Sequence, residues 1–166
     1  MATPEFILQL REKIGHDPLW LPGVTVISLR THPARGTETL LVLTHDGRWK
    51  PVTGIIDPEE NPDAAGARET LEETGVEVVA DRLLAVEALP ERASNNGDLC
   101  SFMDIAVAAS PKDSTQEPAG GDDENADAAW FPVGDLPPLK PRYAALIHQA
   151  LDPTAPARLG PAPELP

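Results

Sequence analysis

Three glutamates, Glu69, Glu72 and Glu73, stand close together within residues 54–76, GIIDPEENPDAAGARETLEETGV. On a helix advancing 100° per residue they fall within about 100° of one another, so three carboxylates share one face. Carboxylates at that density repel unless a cation sits among them, and such hard oxygen donors suit Mg²⁺ or Mn²⁺. The chemistry this prepares is metal-assisted: a divalent cation neutralises phosphate oxygens and acidifies a bound water. Arg68 lies four residues before Glu72 and can hold one carboxylate in a fixed rotamer. Such a pair contributes about 0.2–0.5 kcal/mol on an exposed helix, so the role of Arg68 is orientation more than stability. A glutamate-rich helix face standing alone is more often solvated surface, and the surrounding spacing is what separates the two readings.

The helix that carries these residues is written into the same stretch. Asn61 can cap it, Pro62 suits a first helical position that needs no N–H, and Asp63 suits the positive end of the dipole. Gly75 is a natural stop. Ala64, Ala67 and Leu71 fall opposite Glu69, which predicts an acidic face pointing away from the core, toward a cleft or solvent.

Gly54, then Glu60 after five residues, then Arg68-Glu69-Thr70-Leu71-Glu72-Glu73-Thr74-Gly75-Val76 after seven more, resembles the Nudix hydrolase signature Gly-x5-Glu-x7-Arg-Glu-U-x-Glu-Glu-x-Gly-U, where U is a bulky aliphatic residue. Thr70 alone departs from it, and because Thr70 should face the sheet the departure touches packing more than chemistry. The resemblance implies an α+β fold, a Nudix-type α/β/α sandwich around a mixed β-sheet, in a single domain over residues 1–151 whose residues 1–22 form an added N-terminal helical extension. It implies Mg²⁺, with Mn²⁺ as a substitute, held mainly by Glu69 and Glu73. Glu72 is then a further ligand or a water-activating group, the backbone carbonyl of Thr53 joins the ligands, and Glu60 supports the loop. Trp130, Phe131 and the following Leu136-Pro137 resemble the closing segment of many such domains. An acidic residue several positions before that aromatic can approach the metals, and Glu124 is the best match, with Asp122 and Asp123 competing.

What the resemblance implies for activity is hydrolysis of a nucleoside diphosphate linked to another moiety. A metal-bound water, deprotonated by a box glutamate or by Glu124, attacks phosphorus in line while Arg68 orients the acidic face. Nucleotide sugars such as ADP-ribose, nucleoside triphosphates and dinucleoside polyphosphates are the candidate substrates. Two other readings share the fold: a nucleotide sensor without catalysis, against which the intact box argues, and an isoprenyl diphosphate isomerase. The isomerase needs an additional acid or a nucleophilic cysteine near the metal, and the lone Cys100 reads as a small buried residue on a strand.

The remaining elements follow from pattern. Residues 4–14 read as an amphipathic helix through Phe6, Ile7, Leu10 and Ile14, stopped by Gly15; with family habit, it suggests a homodimer. Residues 19–23 read as a turn into a buried strand at 24–29. Residues 37–44 form another strand, 45–48 a hairpin turn carrying Asp46-Gly47, and 49–56 the strand entering the box. Strands follow at 76–89 and 99–109, joined by a hairpin loop at 90–98. Residues 111–126 read as a mobile polar loop, residues 128–133 as a short strand, and residues from 141 to 151 as a helix. Residues 152–166, with five prolines and few large apolar groups, are expected to be disordered. Trp20 and Trp49 could stack on a base but fit core or interface as well, and neither is assigned.

Composition narrows the partners. Thirteen basic against 27 acidic side chains give a net charge of −14 over 166 residues, which opposes nucleic acid polymers and anionic membranes yet admits a small nucleotide accompanied by its metals. The first 17 residues lack a long apolar run, so a cytoplasmic protein without a membrane span is expected. His16, His32, His45 and His148 show no zinc-ligand spacing. Neither a phosphate-binding Gly-x-x-x-x-Gly-Lys-Ser/Thr loop nor a dinucleotide-binding Gly-x-Gly-x-x-Gly occurs.

Overall fold

The computed structural model describes residues 4–93, 97–120 and 125–161. Its elements in chain order are α1 (Glu5–Ile14), β1 (Leu19–His32), β2 (Gly36–Thr44), β3 (Trp49–Lys50), β4 (Val52–Ile55), α2 (Pro62–Thr74), β5 (Val78–Ala93), β6 (Leu99–Pro111), β7 (Asn125–Pro132), α3 (Pro141–Leu151) and β8 (Arg158–Leu159). The strands form a mixed sheet in the order β3-β2-β1-β6-β5-β8, with β4 also on β1 and β7 also on β2. This is the α+β sandwich expected, with helices on both faces.

Alternation along β1 sets the layers. Val24 and Val26 point to the side covered by α2, where they meet Val42, Val52, Ala65, Val107 and Trp130. Ile27 points the other way, to Leu41, Ala106 and the α3 residues Leu146 and Ile147; burial of each Leu or Ile stabilises the fold by about 1.5–3 kcal/mol. α1 closes a third, smaller core in which Ile7 meets Leu21, Cys100 and Phe102. β1 also holds two sheet parts together: Gly23 to Val26 pair with β4, and Leu29 to His32 pair with β2.

Several elements differ from the sequence reading: residues 90–93, expected in a hairpin loop, end β5, and residues 125–126, expected in a loop, begin β7. Residues 19–23 are strand, because the first part of β1 runs parallel to β6 from Leu19 opposite Cys100 onward. The strand entering the box is two short strands separated at Pro51, β3 on β2 and β4 on β1, since a proline has no N–H for the ladder. Over its described residues, 152–161, the proline-rich tail is ordered: β8 adds to the edge of β5 in parallel, Ala85 opposite Arg158, and Gly160 N–H donates to the Val86 carbonyl at 2.9 Å. Backbone pairing of this kind needs few large apolar side chains, which is why composition pointed to disorder.

Candidate active site

The turn before α2 is built around one arginine. Arg68 Nε donates to Glu60 Oε1 at 2.9 Å and its Nη2 to Glu60 Oε2 at 2.8 Å, a bidentate pair. Nη2 also reaches the Ile55 carbonyl at 3.1 Å, and Nη1 reaches Glu69 Oε1 at 2.9 Å and Glu72 Oε2 at 3.3 Å. Glu60 in turn accepts the Asp57 N–H at 3.1 Å, and the guanidinium holds its carboxyl below the usual range. Arg68 thus ties the end of β4, the turn and the helix together, a wider role than orienting Glu72. Glu59, between them, has φ +67°, a left-handed conformation unusual for a residue with a side chain.

α2 begins at Pro62 after Asn61, which contributes its backbone carbonyl to the Ala65 N–H at 2.9 Å and no side-chain cap. It ends at Gly75 with φ +69°, the left-handed stop expected. The rotation of the helix reverses the expectation. Glu69 is 1% exposed and Glu73 is 4% exposed, while Leu71 and Ala64 face solvent. Two glycines explain it. Gly66 lets the helix approach the sheet, where an added Cβ would stand 3.1 Å from Val26 Cγ2. Gly54 leaves open the space that the Glu69 carboxylate fills. Thr70, the departure from the signature, is buried and donates its hydroxyl to the Gly66 carbonyl at 2.7 Å, so its polar atom is satisfied within the helix.

Burial raises the Glu69 carboxyl to about 7; Arg68 opposes the shift, and the neighbouring Glu73 and Glu72 add to it. A buried carboxyl beside like charges is the situation a divalent cation relieves. Among the described residues no three His, Cys, Asp or Glu side chains are gathered at metal-binding distance. Glu69 and Glu73 face inward, and the Glu72 side chain is 55% exposed. The donors fit Mg²⁺ in kind, because that ion is commonly held by one or two carboxylates with waters and substrate phosphates completing its shell. Thr53 lies on β4 directly before Gly54. Glu124, Asp122 and Asp123 lie outside the described residues.

Two neighbours of Glu73 escaped the sequence reading. Asn125, the first residue of β7, donates to Glu73 Oε2 at 3.1 Å, and Lys50 Nζ stands 3.7 Å from the same oxygen. Both flank β2, Lys50 opposite Val42 and Asn125 opposite Thr44. Their only sequence signal is strand alternation, and partner choice across β2 is not readable from it.

The segment expected to be a mobile loop is tied down over residues 112–120. Buried Arg30 donates to the Gln116 carbonyl at 2.9 Å, pairs with Glu38 at 2.8 Å and Glu117 at 2.7 Å, and stacks 4.3 Å from the Trp130 ring centre. Trp130 Nε1 donates to the same Gln116 carbonyl at 3.1 Å. Gln116 Nε2 then donates to the Gly75 carbonyl at 2.7 Å, and Ala119 N–H to the Thr74 carbonyl at 2.8 Å. The loop is therefore docked on the end of the acidic helix.

On the opposite face of the sheet, Arg142 from α3 pairs with Glu87 and Asp104, and Thr25 donates its hydroxyl to both Asp104 oxygens at 3.0 Å. Burial raises the Asp104 carboxyl against the pull of Arg142. Burial likewise raises Tyr143. Trp49 packs edge-on against Phe131 at 4.7 Å, whereas Trp20 is exposed. Cys100 lies in the α1 core with Arg11 Nη2 3.6 Å from its sulfur.

The NUDIX domain family model matches residues 21–150. No curated protein matches the chain. Among solved structures, a UDP-X diphosphatase superposes with a TM-score of 0.64 at 18% identity, covering 93% of this chain and 74% of its own. An ADP-ribose pyrophosphatase from Streptococcus suis gives 0.59 at 19% identity, with 83% and 98% covered. The NUDIX domain of Shewanella oneidensis NrtR, complexed with ADP ribose, gives 0.58 at 21% identity, with 91% and 97% covered. At these identities the likeness is one of fold.

Proposed function

Because this chain belongs to the Nudix hydrolase family, we propose that it is a divalent-metal-dependent pyrophosphohydrolase that cleaves the diphosphate of a nucleoside diphosphate linked to another moiety. The observation that carries this reading is the pair of inward carboxylates, Glu69 seated against Gly54 and held by Arg68, and Glu73 one turn on and held by Asn125, in a signature complete but for Thr70. Glu69, Glu73 and the Thr53 carbonyl would hold Mg²⁺, with Mn²⁺ able to substitute. When bound, such an ion neutralises phosphate oxygens and lowers the pKa of a coordinated water.

The chain's own residues supply the rest. Arg68 holds Glu69 and contacts Glu72, and we assign Glu72 as a group that would take the proton of the attacking water. Glu124 is a second candidate for that proton. Asn125 holds Glu73 in its rotamer. A substrate of the ADP-ribose or UDP-linked class agrees with the UDP-X diphosphatase, the ADP-ribose pyrophosphatase and the ADP-ribose complex among the structural neighbours. No helix among the described residues is long and apolar enough to cross a membrane; we propose a cytoplasmic homodimer.

Incubation with nucleotide sugars, nucleoside triphosphates, dinucleoside polyphosphates and an isoprenyl diphosphate, with Mg²⁺ or with a chelator, tests the reading. Mg²⁺-dependent release of a nucleoside monophosphate, or of pyrophosphate from a triphosphate, is expected. Binding without turnover would replace it with a sensor, and rearrangement of the isoprenyl compound with an isomerase.

A further inference from the structure

We propose that Lys50 is a substrate-facing cation of this site, its ammonium binding a non-bridging oxygen of the diphosphate beside Glu73. The inference rests on the hydrolase reading and assigns a residue outside the signature to the same site.

Donor accounting separates the two cations that meet the acidic helix. Every nitrogen of the Arg68 guanidinium is engaged, by Glu60, Glu69, Glu72 or the Ile55 carbonyl. An arginine so committed has nothing to offer an incoming phosphate without dismantling the turn. Lys50 carries three donors. Among the described residues one goes to Thr53 Oγ1 at 3.1 Å, and the approach to Glu73 Oε2, 3.7 Å, is an ion contact longer than a hydrogen bond. Its side chain is 22% exposed, so a ligand can reach it. Of the other cations, Arg142 is engaged by Glu87 and Asp104, and Arg48, exposed in the hairpin, pairs with Asp46.

Placement supports the assignment. Lys50 shares the face of its register partner Val42, the α2 side. Thr53, its hydrogen-bond partner, is the register partner of Thr25, which faces α3. The ammonium therefore stands at the break between β3 and β4, between the buried carboxylates and the opposite face of the sheet. A diphosphate brought to Glu69 and Glu73 meets a strongly acidic surface, and an ammonium beside Glu73 offsets that repulsion. With Glu73 engaged by a divalent cation, the Lys50–Glu73 attraction would weaken and the ammonium would be available to the phosphate.

The test uses methylenediphosphonate, an uncleavable diphosphate without a nucleoside, titrated with Mg²⁺ into the full chain by calorimetry, alongside Mn²⁺ binding followed by electron paramagnetic resonance. Lys50→Gln is expected to weaken diphosphonate binding about tenfold or more, the worth of one charge-assisted hydrogen bond, and to leave Mn²⁺ affinity unchanged or tighter. Lys50→Arg is expected to keep most of the diphosphonate affinity, and Lys112→Ala, at an exposed pair with Glu77, all of it. Undiminished diphosphonate binding in Lys50→Gln overturns the proposal, and so does a parallel loss of Mn²⁺, which would make Lys50 a structural partner of Glu73. If Lys50→Gln melts early, Lys50→Ala is read by the same two titrations. A chain that neither binds the diphosphonate nor hydrolyses any nucleotide defeats the hydrolase reading. Hydrolysis together with undiminished binding in the variant defeats the role of Lys50 alone.

Discussion

Gly54 and Glu69 share one space: the position a Cβ on Gly54 would take is already filled by the Glu69 carboxylate. Gly54 is in a strand and is not among the positive-φ glycines, so the requirement there is volume and not backbone freedom. Gly54→Ala should therefore fold with the same topology, lose about 1–3 kcal/mol from overpacking, and displace Glu69. Urea unfolding and a Mn²⁺ titration should move together. An alanine variant with wild-type stability and Mn²⁺ affinity would mean that Glu69 has another seat.

Glu73→Gln keeps the shape of the side chain and its capacity to accept from Asn125, while removing the charge. The melting temperature should stay within a few degrees and turnover on the best nucleotide should fall at least about 10²–10³-fold. A near-normal rate at saturating Mg²⁺ would take Glu73 out of the metal site.

How much of this was legible depends on what each feature is made of. The acidic helix was, because Gly54, Glu60, Arg68 and the glutamates are fixed by local spacing, and the cap glycine Gly75 marks its end. Its rotation was not. Charge alone sends glutamates to solvent, and only the absence of side chains at Gly54 and Gly66 shows that Glu69 and Glu73 turn inward while Leu71 is left outside. Lys50 and Asn125 reach Glu73 through strand pairings on either side of β2, and a register between distant segments leaves no mark on either segment. The docked loop is similar: Arg30 is 86 residues from Gln116, and nothing near either one announces the partner.

Asp104 supplies a pH test away from the acidic helix. Burial raises its folded-state pKa above the ordinary value of 3.8, so between the two values the folded chain retains a proton that the unfolded chain has released. The stability this group contributes is therefore fully present below about pH 3.8 and is lost as pH rises through the raised folded value. Asp104→Asn removes that slope. Urea unfolding at several pH values from 4 to 7 should show the wild type losing ground to the variant as pH rises. Parallel curves would show that Asp104 titrates alike in both states.

The tail makes the final prediction. A chain ending at Asp152 loses the bond from Arg82 to the Ala155 carbonyl, the bond from Arg158 to Gln149 and the pairing of Gly160 with Val86. It should be less stable by about 1–3 kcal/mol, at roughly 1 kcal/mol per hydrogen bond, and self-associate through the uncovered edge of β5. Thermal melting and light scattering check both effects, and an unchanged melting point with a monodisperse sample would make β8 incidental.

The stacking of Trp130 on Arg30 gives the protein an optical gauge. The indole is pressed against a cation and hydrogen-bonded to a carbonyl whose own residue grips the end of α2, while Trp20 stands in solvent and Trp49 rests on Phe131. Ring emission is sensitive to a neighbouring charge and to its hydrogen bond. Undocking of the segment over residues 112–120 therefore changes the light from one tryptophan and leaves the other two as internal references.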